Sequence, residues 1–237
     1  MTQFCAVVTG GARNIGQAIA LRLQADGYRV IVLDREVPEE PSLRADAVQI
    51  DLSDAGSATE AASRIAGSFP VTCLVNNVGI VAPALFDDVA LADFDRLMHL
   101  NVRTALIFAK AMVPSMRAQG HGRIVMNTSR VTLGKEARTL YSATKGALQS
   151  MARTWALELA RDNITVNCVA PGPIATTAFW QNNHPESEGF LKLRASIPLG
   201  RMGTPEDVAN AVSFFCDSRA SFVTGQTMFV CGGVTVG

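Results

Sequence analysis

The chain has 237 residues, enough for one well-buried domain and short for two that each need a core. Hydrophobic residues make up 48% and charged residues 18%, which excludes a disordered chain. Lys plus Arg equals Asp plus Glu at 21 each, so no overall field attracts nucleic acid or an anionic membrane, and the expected partner is a small molecule.

Short β-branched apolar runs alternate with longer stretches of helical period, the pattern of βαβ units and a covered parallel sheet. Strands are expected at 4–8, 29–33, 47–50, 73–76, 123–127, 164–169 and 227–230. Helices are expected at 15–25, 55–67, 141–160 and 205–216, with a broken helical stretch over 92–118. The segment 171–200 breaks this rhythm: it holds several prolines, the polar patch Gln181-Asn182-Asn183-His184 and the aromatics Phe179, Trp180 and Phe190. A loop this long in a small domain is usually functional, and a substrate lid over about 176–200 is the expectation.

The five cysteines are scattered through apolar runs without a Cys-x-x-Cys pair or a histidine at ligand spacing. They read as core packing in a reducing compartment, and no metal is expected. From Met1 onward there is no basic leader, and no run of 18 apolar residues follows, so the expectation is a cytoplasmic protein.

After the first strand comes Thr9-Gly10-Gly11-Ala12-Arg13-Asn14-Ile15-Gly16, and a helix opens at its end. Glycines there let the backbone approach a pyrophosphate, and the helix N-terminus supplies donors and positive potential. Asp34, ending the second strand, falls where an adenosine ribose would lie. Its carboxylate favours NAD(H), by accepting both ribose hydroxyls and repelling a 2′-phosphate; Arg13 and Arg35 pull toward NADP(H), the second candidate.

Tyr141 and Lys145 lie four residues apart, on one face of a helix. A phenol titrates near pH 10, and a neighbouring ammonium favours its ionised form, so the pair can exchange a proton with a carbonyl or alcohol oxygen. Ser129 follows the fifth strand at the sheet edge where ligands of open α/β folds bind, with Thr128, Thr132 and Ser142 as rival hydroxyls. Asn101 falls mid-helix, which implies either a role or a kink.

Taken in order, these motifs resemble the short-chain dehydrogenase/reductase family over essentially the whole chain. The resemblance implies a single-domain Rossmann fold, a doubly wound parallel sheet of about seven strands with helices on both faces. It selects Ser129 among the hydroxyls, makes Tyr141 the general acid/base and Lys145 its tuner and ribose ligand, and gives Asn101 a water that links Lys145 to solvent. It implies cofactor contacts from Gly10, Arg13, Asn14, Ile15, Gly16, Asp34 and Arg35. Asp51 with Leu52 would meet the adenine, unless Asp51 instead caps a helix. Asn77-Val78-Gly79 and the segment carrying Pro171, Gly172, Ile174 and Thr176 would complete the site. Two departures stand out: Asn14 replaces the middle glycine of the family's TGxxxGxG loop, a turn asparagine tolerates, and Val78 replaces the alanine of its NNAG motif.

The activity implied is interconversion of a secondary alcohol and a ketone. Members resembling 3-oxoacyl-carrier-protein reductases tend to carry arginine where Gly120 and Asp162 stand here, so a small free substrate is preferred over a carrier-bound one. The family also implies a homotetramer through the helices near 105–113 and 148–159. A non-catalytic dinucleotide-binding regulator is the alternative of a different class.

Overall fold

The computed structural model describes residues 4–182 and 184–236, so Met1 and Asn183 of the polar patch lie outside the described residues. Seven strands form one parallel sheet in the order β3-β2-β1-β4-β5-β6-β7. They are β1 (Cys5–Thr9), β2 (Arg29–Asp34), β3 (Ala47–Gln49), β4 (Val71–Asn76), β5 (Gly122–Asn127), β6 (Ile164–Pro171) and β7 (Thr227–Val230). β1, β4, β5 and β6 are buried along their whole length, which explains why their sequences are runs rather than alternations.

Two helices, α1 (Asn14–Ala25) and α8 (Pro205–Cys216), cover one face of the sheet around Ile19, Leu23 and Phe215. The other face is covered by α2 (Ala55–Ser68), α4 (Thr104–Ala118) and α5 (Thr139–Leu159) around Ile65, Phe108, Met112 and Leu148. Each such side chain contributes about 1.5–3 kcal/mol by leaving water. The layers are those of a Rossmann domain. Strand order reverses between β1 and β4, and a crevice opens there at the carboxyl ends of the strands.

The broken stretch is a continuous helical run with a wide turn in it: α3 (Leu91–Leu97), a π-helical turn Met98–Arg103, then α4. Asn101 sits in that turn, so the kink and the buried asparagine coincide. The segment after β6 is more regular than its prolines suggest. It holds α6 (Thr177–Asn182) and α7 (Glu188–Ala195), the second capped by Ser187 accepting from Phe190 N–H. No helix among the described residues is long and apolar enough to cross a membrane.

Candidate functional site

A cleft of about 520 Å³ runs along the carboxyl ends of β1, β2 and β4. At one end it is lined by Asp34, Arg35, Asp51 and Leu52, at the middle by Gly10, Arg13, Asn14, Ile15 and Gly16, and at the other end by Tyr141, Lys145 and Thr176. The middle is the N-terminus of α1, which has no side-chain cap and no acidic residue in its first turn. Its leading N–H groups are therefore free to meet an anion. Gly16 is obligatory here, because a Cβ would stand 1.9 Å from Gly10 O.

Asp34 is held rather than free: Oδ2 accepts from Ala12 N–H at 3.0 Å and Oδ1 from Glu36 N–H at 3.2 Å. Arg13 is paired with Glu36 and lies 3.8 Å from Glu39, while Arg35 lies 3.8 Å from Glu36. Both arginines at this end thus already have carboxylate partners. Asp51 accepts from Ser53 N–H at 2.9 Å, which lowers its pKa, and it lines the cleft; the cap of α2 is Asp54, not Asp51.

From the glycine turn a chain of hydrogen bonds crosses the sheet. Asn77 donates to Thr9 O at 3.1 Å and Gly10 O at 2.8 Å, and its Oδ1 accepts from Asn127 Nδ2 at 2.7 Å. The Asn127 carbonyl in turn accepts from Lys145 Nζ at 2.7 Å. One relay of amides therefore fixes the glycine turn relative to the lysine. Asn127 Oδ1 is buried, has no partner among the described residues, and belongs to a side chain facing the cleft. An uncapped helix N-terminus, a glycine turn and an acid 22 residues beyond Ala12 together fit a dinucleotide laid along the cleft.

Tyr141 and Lys145 leave α5 on one face, with Lys145 Nζ 5.5 Å from the centre of the Tyr141 ring. Ser129, just past β5, lines the second cleft together with Tyr141, and its Oγ accepts from Val131 N–H at 3.3 Å. The rival hydroxyls are used internally: Thr128 donates to Val169 O, Thr132 to Ser129 O and Ser142 to Val131 O. Burial pushes the Tyr141 phenol up to about 12, against the pull of Arg138 and of the Ser129 hydroxyl. Burial likewise pushes Lys145 down to about 8. Desolvation thus dominates, and Arg138 is a further cation that acts on Tyr141, one that reading the helix face alone did not single out.

Asn101 is buried against α5 and the strand-β4 loop. It donates to Ile80 O and Thr144 Oγ1, each at 3.0 Å, and accepts from Ile80 N–H at 2.9 Å. A Cβ added at Gly79 would stand 3.3 Å from both Asn101 Oδ1 and Lys145 Nζ, so glycine keeps the space between them open.

A second cleft of about 300 Å³ adjoins the first at Tyr141. Ser129, Pro171, Gly172, Ile174 and Thr176 line it, together with Phe179 from α6. Phe179, Trp180 and Phe190 pack on one another with ring centres 5.1–6.2 Å apart. Among the described residues no group of three or more His, Cys, Asp or Glu side chains is placed to hold a metal ion.

Residues 10–235 match the family described as enoyl-(acyl carrier protein) reductase. A (2S)-[(R)-hydroxy(phenyl)methyl]succinyl-CoA dehydrogenase subunit from Thauera aromatica is 34% identical, covering 96% of this chain and 95% of its own. A 3-oxoacyl-[acyl-carrier-protein] reductase from Aggregatibacter actinomycetemcomitans is 36% identical over 96% and 98%. The chain belongs to the short-chain dehydrogenase/reductase family. Among solved structures, a protein provisionally assigned as an NAD(P)-dependent gluconate 5-dehydrogenase from Beutenbergia cavernae, with NADP at low occupancy, superimposes with a TM-score of 0.92. It is 33% identical, covering 100% of this chain and 98% of its own. As a short-chain dehydrogenase/reductase, the chain is an oxidoreductase that acts on hydroxyl and keto groups with a nicotinamide dinucleotide.

Both departures from the short-chain dehydrogenase/reductase pattern have local explanations. Asn14 takes φ +48°, the left-handed turn its glycine counterpart would take, and its Oδ1 accepts from Thr177 N–H at 2.8 Å and Thr177 Oγ at 3.0 Å. The side chain that replaces a glycine thus ties the turn to the start of α6. Val78 lends its methyl groups to the core under α2 and α4 while still lining the cleft.

Proposed function

We propose that the chain interconverts a secondary alcohol and a ketone on a small free substrate, with Tyr141 as general acid/base. The observation that carries this reading is the place of Tyr141 at the junction of the two clefts, with Ser129 lining the second beside it and Lys145 behind it. When bound, the nicotinamide gives or takes the hydride. Ser129 holds the substrate oxygen, and Tyr141 gives it a proton in reduction or removes one in oxidation. Lys145 places positive charge behind the phenol and binds the nicotinamide ribose. Asn101 completes a water path through the space beside Gly79, which returns the proton from solvent. Pro171, Gly172, Ile174 and Thr176 orient the carboxamide, and Asn77, Val78 and Gly79 border the adenosine side with Asp51 and Leu52.

The residues around 176–200 act as a substrate lid whose Phe179 meets the second cleft. NAD(H) is the preferred cofactor over NADP(H), because Asp34 stands at the ribose end and Arg13 and Arg35 already face Glu36. The protein works in the cytoplasm as a homotetramer. Support comes from apolar side chains left exposed on the expected helices, Leu106 at 42% and Leu157 at 82%; sedimentation as a monomer would refute that assembly.

A second reading, 3-oxoacyl-carrier-protein reductase, is favoured by relatives of that name at 34–36% identity. Against it, Asp162 is neutralised within the chain by Arg117 at 2.7 Å, so that position offers no free cation to an acidic carrier. The test is a panel of ketones with NADH and NADPH. Tyr141→Phe is expected to lose about 10²–10⁴ of kcat, and NADH to show the lower KM. Full activity in Tyr141→Phe would end the proposal. Tight NADH binding without turnover would instead favour a dinucleotide-binding regulator.

A further inference from the structure

The second cleft has a charge pattern beyond what the redox chemistry needs, since of its cations only Arg138 bears on the Tyr141 phenol. Arg130, Lys135 and Arg138 line it beside Ser129 and Tyr141, and among the described residues no Asp or Glu does. The chain as a whole is neutral, with 21 cations against 21 carboxylates, so three cations in about 300 Å³ are a local concentration. None of the three forms an ion pair among the described residues, although most arginines elsewhere on the surface do. Arg130 and Arg138 are half-buried, where an unpaired charge is costly. Lys135 is exposed overall, yet its ammonium is partly desolvated and stands near Arg138 and Arg130, which together hold it below the usual lysine range.

The backbone also accepts strain to present one of them. Ala137 takes φ +55°, unusual for a residue with a Cβ, and its carbonyl is pinned by Ala84 N–H and by the Arg138 guanidinium. Ala84 and Arg138 form an isolated bridge. Arg138 then sits at the N-cap of α5, where a cation opposes the helix dipole and an anion would be welcome. A planar guanidinium suits the two oxygens of a carboxylate or phosphate.

Resting on the oxidoreductase reading above, we infer that the natural substrate is an anionic ketone or alcohol, whose negative group is bound by Arg130, Lys135 and Arg138 while its reacting oxygen meets Ser129 and Tyr141. Carboxylate and phosphate share this chemistry. The size of the cleft suits a small oxo acid, whereas the phosphates of a coenzyme A thioester would rest at its mouth.

The test uses the purified protein with NADH and NADPH. Acetoacetate, 4-oxopentanoate and 5-oxohexanoate are each compared with their methyl esters, and acetoacetyl-CoA with the uncharged N-acetylcysteamine thioester. A charge-assisted hydrogen bond predicts an acid-to-ester ratio of kcat/KM of about 10–100 for at least one chain length. Arg138→Gln is expected to collapse that ratio mainly through KM. Taking the ratio removes any effect of Arg138 on the Tyr141 phenol, which both substrates share. Lys135→Gln, at an exposed position, is expected to lower the ratio less and guards against misfolding of the arginine variant. A preference confined to the coenzyme A pair, and lost in the same variants, would assign the anion to phosphate. Equal use of charged and uncharged partners throughout, or variants that weaken both alike, would overturn the inference while leaving the oxidoreductase reading intact. Turnover of no ketone with either nucleotide would overturn both.

Discussion

Lys145→Met separates catalysis from stability. In the folded chain burial takes the Lys145 ammonium from 10.5 to about 8. At about 1.4 kcal/mol per tenfold change in proton affinity, that displacement corresponds to a penalty on the order of 3 kcal/mol for keeping the charge at neutral pH. Methionine has nearly the same length and no charge, so the penalty vanishes. The loss is the hydrogen bond to Asn127 O, worth about 1 kcal/mol. The variant should therefore be about 2 kcal/mol more stable near neutral pH, or roughly 4–8 °C in Tm for a chain of this size, while activity falls by about 10²–10⁴. The sign with pH follows from the direction of the shift. Because the folded pKa is below the unfolded one, the unfolded chain binds more protons between about 8 and 10.5, and the native protein gains stability as pH rises through that window. Lys145→Met lacks this gain, so its advantage should narrow toward pH ~10. Thermal unfolding of both proteins at matched scan rate, near pH 7 and near pH 10, checks this. A variant that melts below the native protein at neutral pH, or a gap independent of pH, would refute the argument.

Two further outcomes are expected. In ketone reduction the phenol, raised to about 12, stays protonated throughout, so kcat/KM should be level up to about pH 8 and decline above it as Lys145 loses its proton; a profile that rises through that point would contradict the assignment. Glu36→Gln removes a partner of Arg13 beside the ribose end of the cleft. Because exposed ion pairs are weak, it should improve the NADPH-to-NADH ratio of kcat/KM only about two- to five-fold, and an unchanged ratio would show that Arg13 does not reach a 2′-phosphate.

The strands and most helices were legible because their burial is periodic or continuous: β1, β4 and β5 read as apolar runs, and all seven expected strands are present within a residue or two. The glycine turn was legible as well, down to the left-handed Asn14. What escaped the sequence was what depends on distant residues meeting. Nothing local to Asn77, Asn127 and Lys145 announces that they share one hydrogen-bonded relay, since they lie on a loop, a strand end and a helix. The cations Arg130, Lys135 and Arg138 sit in an irregular stretch with no period to mark a face, well before the 176–200 segment expected to cover the substrate. The helices α6 and α7 were hidden by prolines and polar residues, and the second is set by a serine cap rather than an apolar stripe. In the π-helical turn Asn101 was recognisable as out of place, but its partner Ile80 was not.

The bond between Asn14 and Thr177 bears on the order of events in a catalytic cycle. One carboxamide oxygen receives both donors of Thr177, so the glycine turn and the start of α6, which the proposed function sets beside the pyrophosphate and the substrate, are coupled. Linkage makes that dependence reciprocal. A dinucleotide that settles the turn also settles the start of α6, and a substrate that settles α6 slows the escape of the dinucleotide. The kinetic scheme this favours is a compulsory one, nucleotide first on and last off. A glycine at position 14 would allow the same turn and leave the two steps uncoupled.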